Sequence, residues 1–149
     1  MRKILFRGKA GNTWHYGDAH TDYKGVVSTI IVPAVCWDEK NIETQCAGYF
    51  GVDAKTIGQY VGIDDINGKH IYEGDILKIV SPNDDEDKPF VTGYYEIAYN
   101  DKQRAFVMRS DCGDEPFDFS QNEIAEYKVE VIGNIYENKD LRGKVYAKT

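Results

Sequence analysis

The residues of this chain with the chemistry for metal binding, nucleophilic attack or proton transfer are three histidines, three cysteines and two clusters of acids. Their spacing argues against all three uses. His15, His20 and His70 share no metal-ligand spacing, and Cys36, Cys46 and Cys112 form neither a CxxC pair nor a Cys/His zinc pattern. Asn83, Asp85 and Asp87 stand at the first three ligand positions of a calcium loop, but Lys88 takes the place of the required glycine and Tyr94 that of the bidentate acid. The second cluster, Asp111, Asp114, Glu115 and Asp118, has no ligand spacing. No GxSxG, P-loop or GxGxxG segment is present. The expectation is a protein that is not an enzyme and carries neither metal nor cofactor. An odd number of thiols fits reduced, structural cysteines better than a secreted disulfide framework, with a Cys36–Cys46 bridge as the alternative.

Aromatic side chains are the remaining resource: eleven Tyr, six Phe and two Trp. In a β-rich chain most of them pack across strands. A subset can line a recognition surface, because Tyr and Trp supply contact area at little rotamer entropy. Trp14, Tyr16, Tyr49 and Tyr72 are the candidates for an interaction surface.

The elements that must position these residues are strands. Tyr95, Ile97 and Tyr99 alternate with Tyr94, Glu96 and Ala98; Phe106 and Met108 alternate with Ala105, Val107 and Arg109; Tyr127, Val129 and Val131 alternate with Lys128 and Glu130. A period of two puts successive side chains on opposite faces of a strand. His15, between Trp14 and Tyr16, therefore points away from both. The run Val26–Val32 is β-branched on both faces and reads as a more central strand.

Turn residues divide the strands. Gly11-Asn12 marks an N-terminal hairpin with a loop longer than two residues, and Asn100-Asp101-Lys102 marks another reversal. Asn67-Gly68 has the pair of residues a type I′ turn demands, which folds Thr56–Val61 back onto Lys69–Tyr72. At Glu73-Gly74-Asp75, Gly74 can take a left-handed conformation while Asp75 bonds back to the backbone, launching the strand Ile76–Val80. That start resembles the first strand of SH3-like barrels. Ser120-Gln-Asn-Glu123 has capping-box spacing and predicts a short helix over 121–126. Ser81–Pro89, with four consecutive acids at 84–87, reads as an exposed loop. Ile76, Leu77, Ile79, Ile97, Phe106, Val131 and Ile135 are the expected core.

The opening Met1–Lys9 with Trp14, the segment Thr56–Ile63, the block Asp65-Ile-Asn-Gly-Lys-His-Ile-Tyr-Glu-Gly-Asp-Ile76 and the closing Val131-Ile-Gly-Asn-Ile-Tyr-Glu-Asn138 together resemble the YopX family of bacteriophage and prophage proteins. The last two blocks are the most specific; His70 and the extension Val145–Thr149 depart from the usual pattern. The resemblance implies a phage or prophage origin, a mainly β fold with an SH3-like barrel component, and no established activity. Combined with the residue reading, it gives a mainly β architecture with a hairpin-rich region over 1–55, an SH3-like small barrel region over 56–138 with one short helix near the C-terminus, and a loosely held tail over 139–149.

The 149 residues suffice for one domain or two small packed ones. With 18 basic and 25 acidic residues the formal charge is −7, which argues against binding nucleic acid by charge alone. No apolar run approaches the roughly 18 residues of a membrane span, and the opening lacks a signal-peptide core, so the protein is expected in the cytoplasm of a bacterial host. The function expected is a small binding module for a host or phage protein, with a homo-oligomer as a further outcome of its open strand edges. The alternatives are a nucleic-acid-binding barrel with stacked aromatics and an acidic DNA mimic acting through residues 84–87.

Overall fold

The computed structural model describes residues 3–22, 24–25, 27–37, 43–81 and 91–147; the side chains of 33–37, 43–47 and Val91 lie outside the description. The expected acidic loop after Ser81, with Asp84, Asp85, Glu86 and Asp87, falls outside it as well. The chain is mainly β and divides into two compact units, Met1–Tyr60 and Val61–Thr149. The division falls inside a strand, five residues beyond the expected boundary at 55/56.

In the first unit β1 (Phe6–Ala10), β2 (Thr13–Thr21), β3 (Val27–Trp37), β4 (Glu43–Gly51) and the start of β5 (Asp53–Asp64) lie in the order β4-β3-β2-β1-β5, all antiparallel. Ala10 pairs with Thr13, so the first hairpin has a two-residue loop, shorter than expected. β2 changes partner along its length: residues 13–17 pair with β1 and 18–21 with β3. Gly17 sits at the exchange, and a Cβ there would lie 2.0 Å from the Ile31 carbonyl oxygen. Only a bare backbone here lets β3 approach so closely. A register shift between Arg7 and Lys9 frees the Lys9 amide from the β1–β5 ladder, and the Thr56 hydroxyl accepts it at 2.8 Å while donating to the Asp53 carbonyl at 2.6 Å. Ile30 is fully buried. Pairing of Ala34 with Cys46 and Cys36 with Thr44 leaves the two cysteines offset rather than opposite one another.

The second unit holds the end of β5 with β6 (His70–Tyr72), then β7 (Asp75–Ser81), β8 (Val91–Asn100), β9 (Ala105–Ser110), β10 (Gly113–Pro116), helix α1 (Gln121–Glu126), β11 (Glu130–Asn134) and helix α2 (Lys139–Val145). Its five-stranded sheet has the order β10-β9-β8-β7-β11. Neither sheet closes on itself: the described strands form open antiparallel sheets rather than a closed barrel. One sheet face presents Leu77, Ile79, Ile97, Met108 and Val131, which pack with Ile71, Ile124 and Val129 into the core. Ile124 comes from α1, whose capping box is formed as its spacing predicts: the Ser120 hydroxyl accepts from the Glu123 amide and the Glu123 carboxylate accepts from the Ser120 amide.

The second sheet face is covered too. Ile76, Glu96, Ala98 and Val107 are all buried on it, and α2 lies against β8 with Val145 inside. The segment from Lys139, expected to be loosely held, is thus a packed helix up to Val145. Phe106 and Ile135, expected in the core, are half-buried. Phe106 pairs with Tyr99 next to the turn of the β8–β9 hairpin, where the rings meet edge-on at 5.5 Å with one side in solvent.

Just beyond α2, the Tyr146 hydroxyl donates to the Glu96 carboxylate at 2.5 Å. Burial, followed by this bond and the Glu96 charge, pushes the phenol up to about 12 from its ordinary 10.0. A raised folded value means the protonated phenol is favoured by folding. Its contribution is therefore complete below pH 10 and is lost as pH rises toward 12. Urea titrations across that window should show the wild type losing stability more steeply than Tyr146→Phe; parallel curves would remove the contact from the account.

Candidate interaction surface

Alternation and register sort the four aromatic candidates. Arg7 pairs with Tyr16 and Lys9 with Trp14, so these four share one face of the first sheet. Asp18 pairs with Ile31, and Ile31 with Tyr49, which carries the same face across to β4. Tyr16 is 46% and Tyr49 72% exposed. Trp14 is half-buried, with the Arg7 guanidinium 4.6 Å and the Lys9 ammonium 5.9 Å from its ring centre. These cations hold the indole against β1.

Tyr72 does not join them. It lies in the second unit, is 3% exposed, and donates its amide to Asp75 Oδ2 at 2.8 Å. The strand β6 is only three residues long and both Ile71 and Tyr72 are buried, a pattern with no alternation to read.

The structure adds Phe50, 37% exposed on the opposite face of β4, stacked on His15 at 3.9 Å and 14°. The alternation reading of His15 holds, and the ring is occupied by packing. The signal for Phe50 was its place next to Tyr49 on an edge strand, which only the strand order reveals. β4 ends the sheet: β3 pairs along one side from Thr29–Gly51 to Trp37–Glu43, and no described strand pairs with the other.

The turn residues singled out from the sequence hold the second unit together. Asp65 is buried; its Oδ1 accepts the Asn67 and Lys69 amides at 2.8 and 2.9 Å, and its Oδ2 accepts the Val131 amide at 3.0 Å. The reversal is a hairpin, but not of type I′. Gly68 alone has positive φ, at +78°, and its amide bonds the Asp65 carbonyl, which is a type I turn closed by a left-handed glycine. Asn67 contributes its amide rather than its conformation.

Gly74, at φ +83°, donates its amide to Ile97 and accepts from Ile135, while the Tyr136 ring lies where a Cβ would be, 2.8 Å away. Gly113 also has positive φ, at +117°, but faces open space. Gly74→Val should therefore lower the unfolding midpoint well beyond Gly113→Val, by about 2 kcal/mol or more, read by thermal melts of both variants. Equal losses would show that the Tyr136 contact is irrelevant. Asn134 completes the arrangement: its Oδ1 accepts the Tyr136 and Glu137 amides at 3.0 Å, and it pairs with Asp75 across the strands.

Chemistry at the titratable groups is equally structural. Asp114 binds the Arg109 guanidinium in a fork at 2.8 and 3.0 Å and accepts from the Asn100 amide at 2.8 Å. These bonds, Arg109 first, hold its carboxyl down at about 2. Cys112 is exposed, and its hydrogen bond to Asp111 raises the thiol, which keeps it out of the reactive thiolate form. His70 Nδ1 meets Asp64 at 2.5 Å. Among the described residues no group of three His, Cys, Asp or Glu side chains is placed to hold a metal ion, and no helix is long and apolar enough to cross a membrane.

No curated protein matches the chain. Among solved structures, protein EF1440 from Enterococcus faecalis matches with 24% identity and a TM-score of 0.48 over 95% of this chain and 99% of that one. The sequence profile of the YopX protein family matches residues 6–141. It spans both blocks that Asp65, Gly74 and Asn134 tie together, and the chain belongs to the YopX family.

Proposed function

We propose that this chain is a non-enzymatic binding module of phage or prophage origin that engages a host or phage protein through the β4 edge of its first unit. The observation that carries this reading is Tyr49: an aromatic side chain 72% exposed on an edge strand, with Phe50 exposed on the other face of the same strand. An open edge recognises a partner strand through backbone hydrogen bonds, while alternate side chains supply specificity. Tyr and Phe at such an edge supply binding energy, whereas single-chain proteins usually blunt edges with charge or proline. The SH3-like strand start at Gly74-Asp75 belongs to the same reading as scaffold. A nucleic-acid role has less support, because Arg7 and Lys9, two of the clustered N-terminal cations, lie over the Trp14 ring.

The test places a photo-crosslinking benzoylphenylalanine at Tyr49 or, as control, at Tyr99, which is exposed in the second unit. In the bacterial host the Tyr49 probe should give one discrete heterologous product that the Tyr99 probe does not give. A product of twice the chain mass alone would reassign the edge to a second copy. Absence of any product from Tyr49 would overturn the proposal.

A further inference from the structure

The second unit contains a cleft of about 260 Å³ that the exposed-aromatic reading does not use. Its floor is Ile79 and Met108, and its walls are the rings of Tyr95, Phe119 and Tyr127. The walls are fixed: Phe119 meets Tyr127 edge-on at 5.7 Å and Phe117 at 5.5 Å. Gly93 makes room for the Tyr95 ring, since a Cβ there would lie 2.5 Å from Tyr95 Cε2. Such rings present preformed π faces with little ordering cost on binding.

The rim has one sign. Glu115 and Asp118 stand at the mouth, both exposed, and no described hydrogen bond or ion pair engages either carboxylate. Glu123, the third acid there, is held by Ser120. Burial first, and then the Glu115 charge, raise the Tyr95 phenol, so that ring stays neutral. The cleft is smaller than the roughly 300–1,000 Å³ of sites for small molecules and cofactors. It has the volume of a site for one long side chain.

A ring-walled, apolar-floored cleft with acids at its mouth complements an aliphatic stem that ends in a cation, and repels phosphate and carboxylate. Of the two cationic side chains, arginine stacks its planar guanidinium on aromatic faces and bonds carboxylates in a fork. We propose that this cleft receives an arginine of a basic protein segment, a second contact that rests on the binding-module reading and lies in the other unit from β4.

The test uses a capped heptapeptide with two arginines and two leucines, and its citrulline counterpart, equal in shape but uncharged. Titrated into ¹⁵N- and methyl-labelled protein, the arginine peptide should shift the Met108 methyl and the amides of Tyr95 and Phe119 saturably, and the citrulline peptide should not. Glu115→Gln with Asp118→Asn should weaken binding about tenfold and flatten its salt dependence. Tyr95→Leu, which keeps apolar bulk and removes the ring, should weaken it as well, with amide spectra reporting that both variants are folded. Equal binding of the citrulline peptide, shifts outside the cleft, or unchanged affinity in the charge variant would overturn the proposal. The Tyr49 crosslink is read in the other unit, so either result can fail while the other stands.

Discussion

Replacing Gly17 by alanine is expected to unfold or severely loosen the first unit, with a loss of about 3–5 kcal/mol that separates it from every other glycine-to-alanine change in that unit. The added Cβ would lie 2.0 Å from the Ile31 oxygen and 2.8 Å from its carbonyl carbon. No rotamer relieves a clash made by the Cβ itself against backbone. The strands must part where β2 passes from β1 to β3, and the pairs from Asp18–Ile31 onward go with them. Gly51→Ala is the matched control, since a Cβ there meets nothing within 4 Å. Urea unfolding read by amide dispersion should show the Gly17 variant losing the signals of residues 6–60 first, whereas a midpoint equal to that of Gly51→Ala would refute the close approach of Ile31 to Gly17.

The second large effect is expected at Asp65. Its carboxylate serves three backbone amides, two in its own turn and one, on Val131, sixty-six residues away. Alanine leaves those amides without their acceptor in a buried site, each at about 1–3 kcal/mol, so a loss of about 3–5 kcal/mol is expected after partial relaxation. Asparagine restores only part of it, because one side of its amide is a donor facing donors. Native-state hydrogen exchange gives the sharper reading. Exchange at the Val131 amide should accelerate in Asp65→Ala far more than exchange at Val107, and equal acceleration at both would mean that the carboxylate is not a local staple.

Local devices were legible in the sequence wherever the chain solves its hydrogen-bonding problem within a few residues. The Ser120–Glu123 box gave the helix 121–126 to the residue, the Asn100 reversal closes through its own side chain onto the Lys102 and Gln103 amides, and Gly74 needed positive φ as its place in a Gly-Asp turn implies. The Asn67-Gly68 hairpin was legible as a reversal but not as a turn type. Asp65 controls it, and nothing local tells that this acid also reaches Val131.

Distant partners were hidden. Helix α2 lacks the usual signal because its N-cap, Asn138, gives its side chain to the Asn134 amide instead of to its own first turn. The helix is held by Val145 burial and by Tyr146 on Glu96, contacts made across the sheet. That cover also explains why alternation understated the burial of β8 and β9. A period of two marks one dry face, while Glu96, Ala98 and Val107 are buried on the other.

The candidate surface was partly legible. Alternation placed Trp14 and Tyr16 together and His15 opposite, but the choice among tyrosines depends on strand order: Tyr49 lies on an edge and Tyr72 in the interior. The two blocks that carry the family resemblance touch each other through Asp65 and Val131, Gly74 and Ile135, and Asp75 and Asn134. Their chemistry is accounted for by backbone amides and a tight turn, and the surface proposed for a partner, on β4, lies outside both blocks.

The most direct measurement of that division sets the unfolding midpoint beside crosslink yield in one variant, Tyr49→Ser, whose side chain is 72% exposed, carrying the photoprobe at Gly51, where added bulk meets open space. The expected result is a midpoint within about 2 °C of the probe-bearing parent, since exposed side chains away from caps and core contribute within about ±0.5 kcal/mol, together with loss of the heterologous product. An undiminished product at an unchanged midpoint would contradict the account.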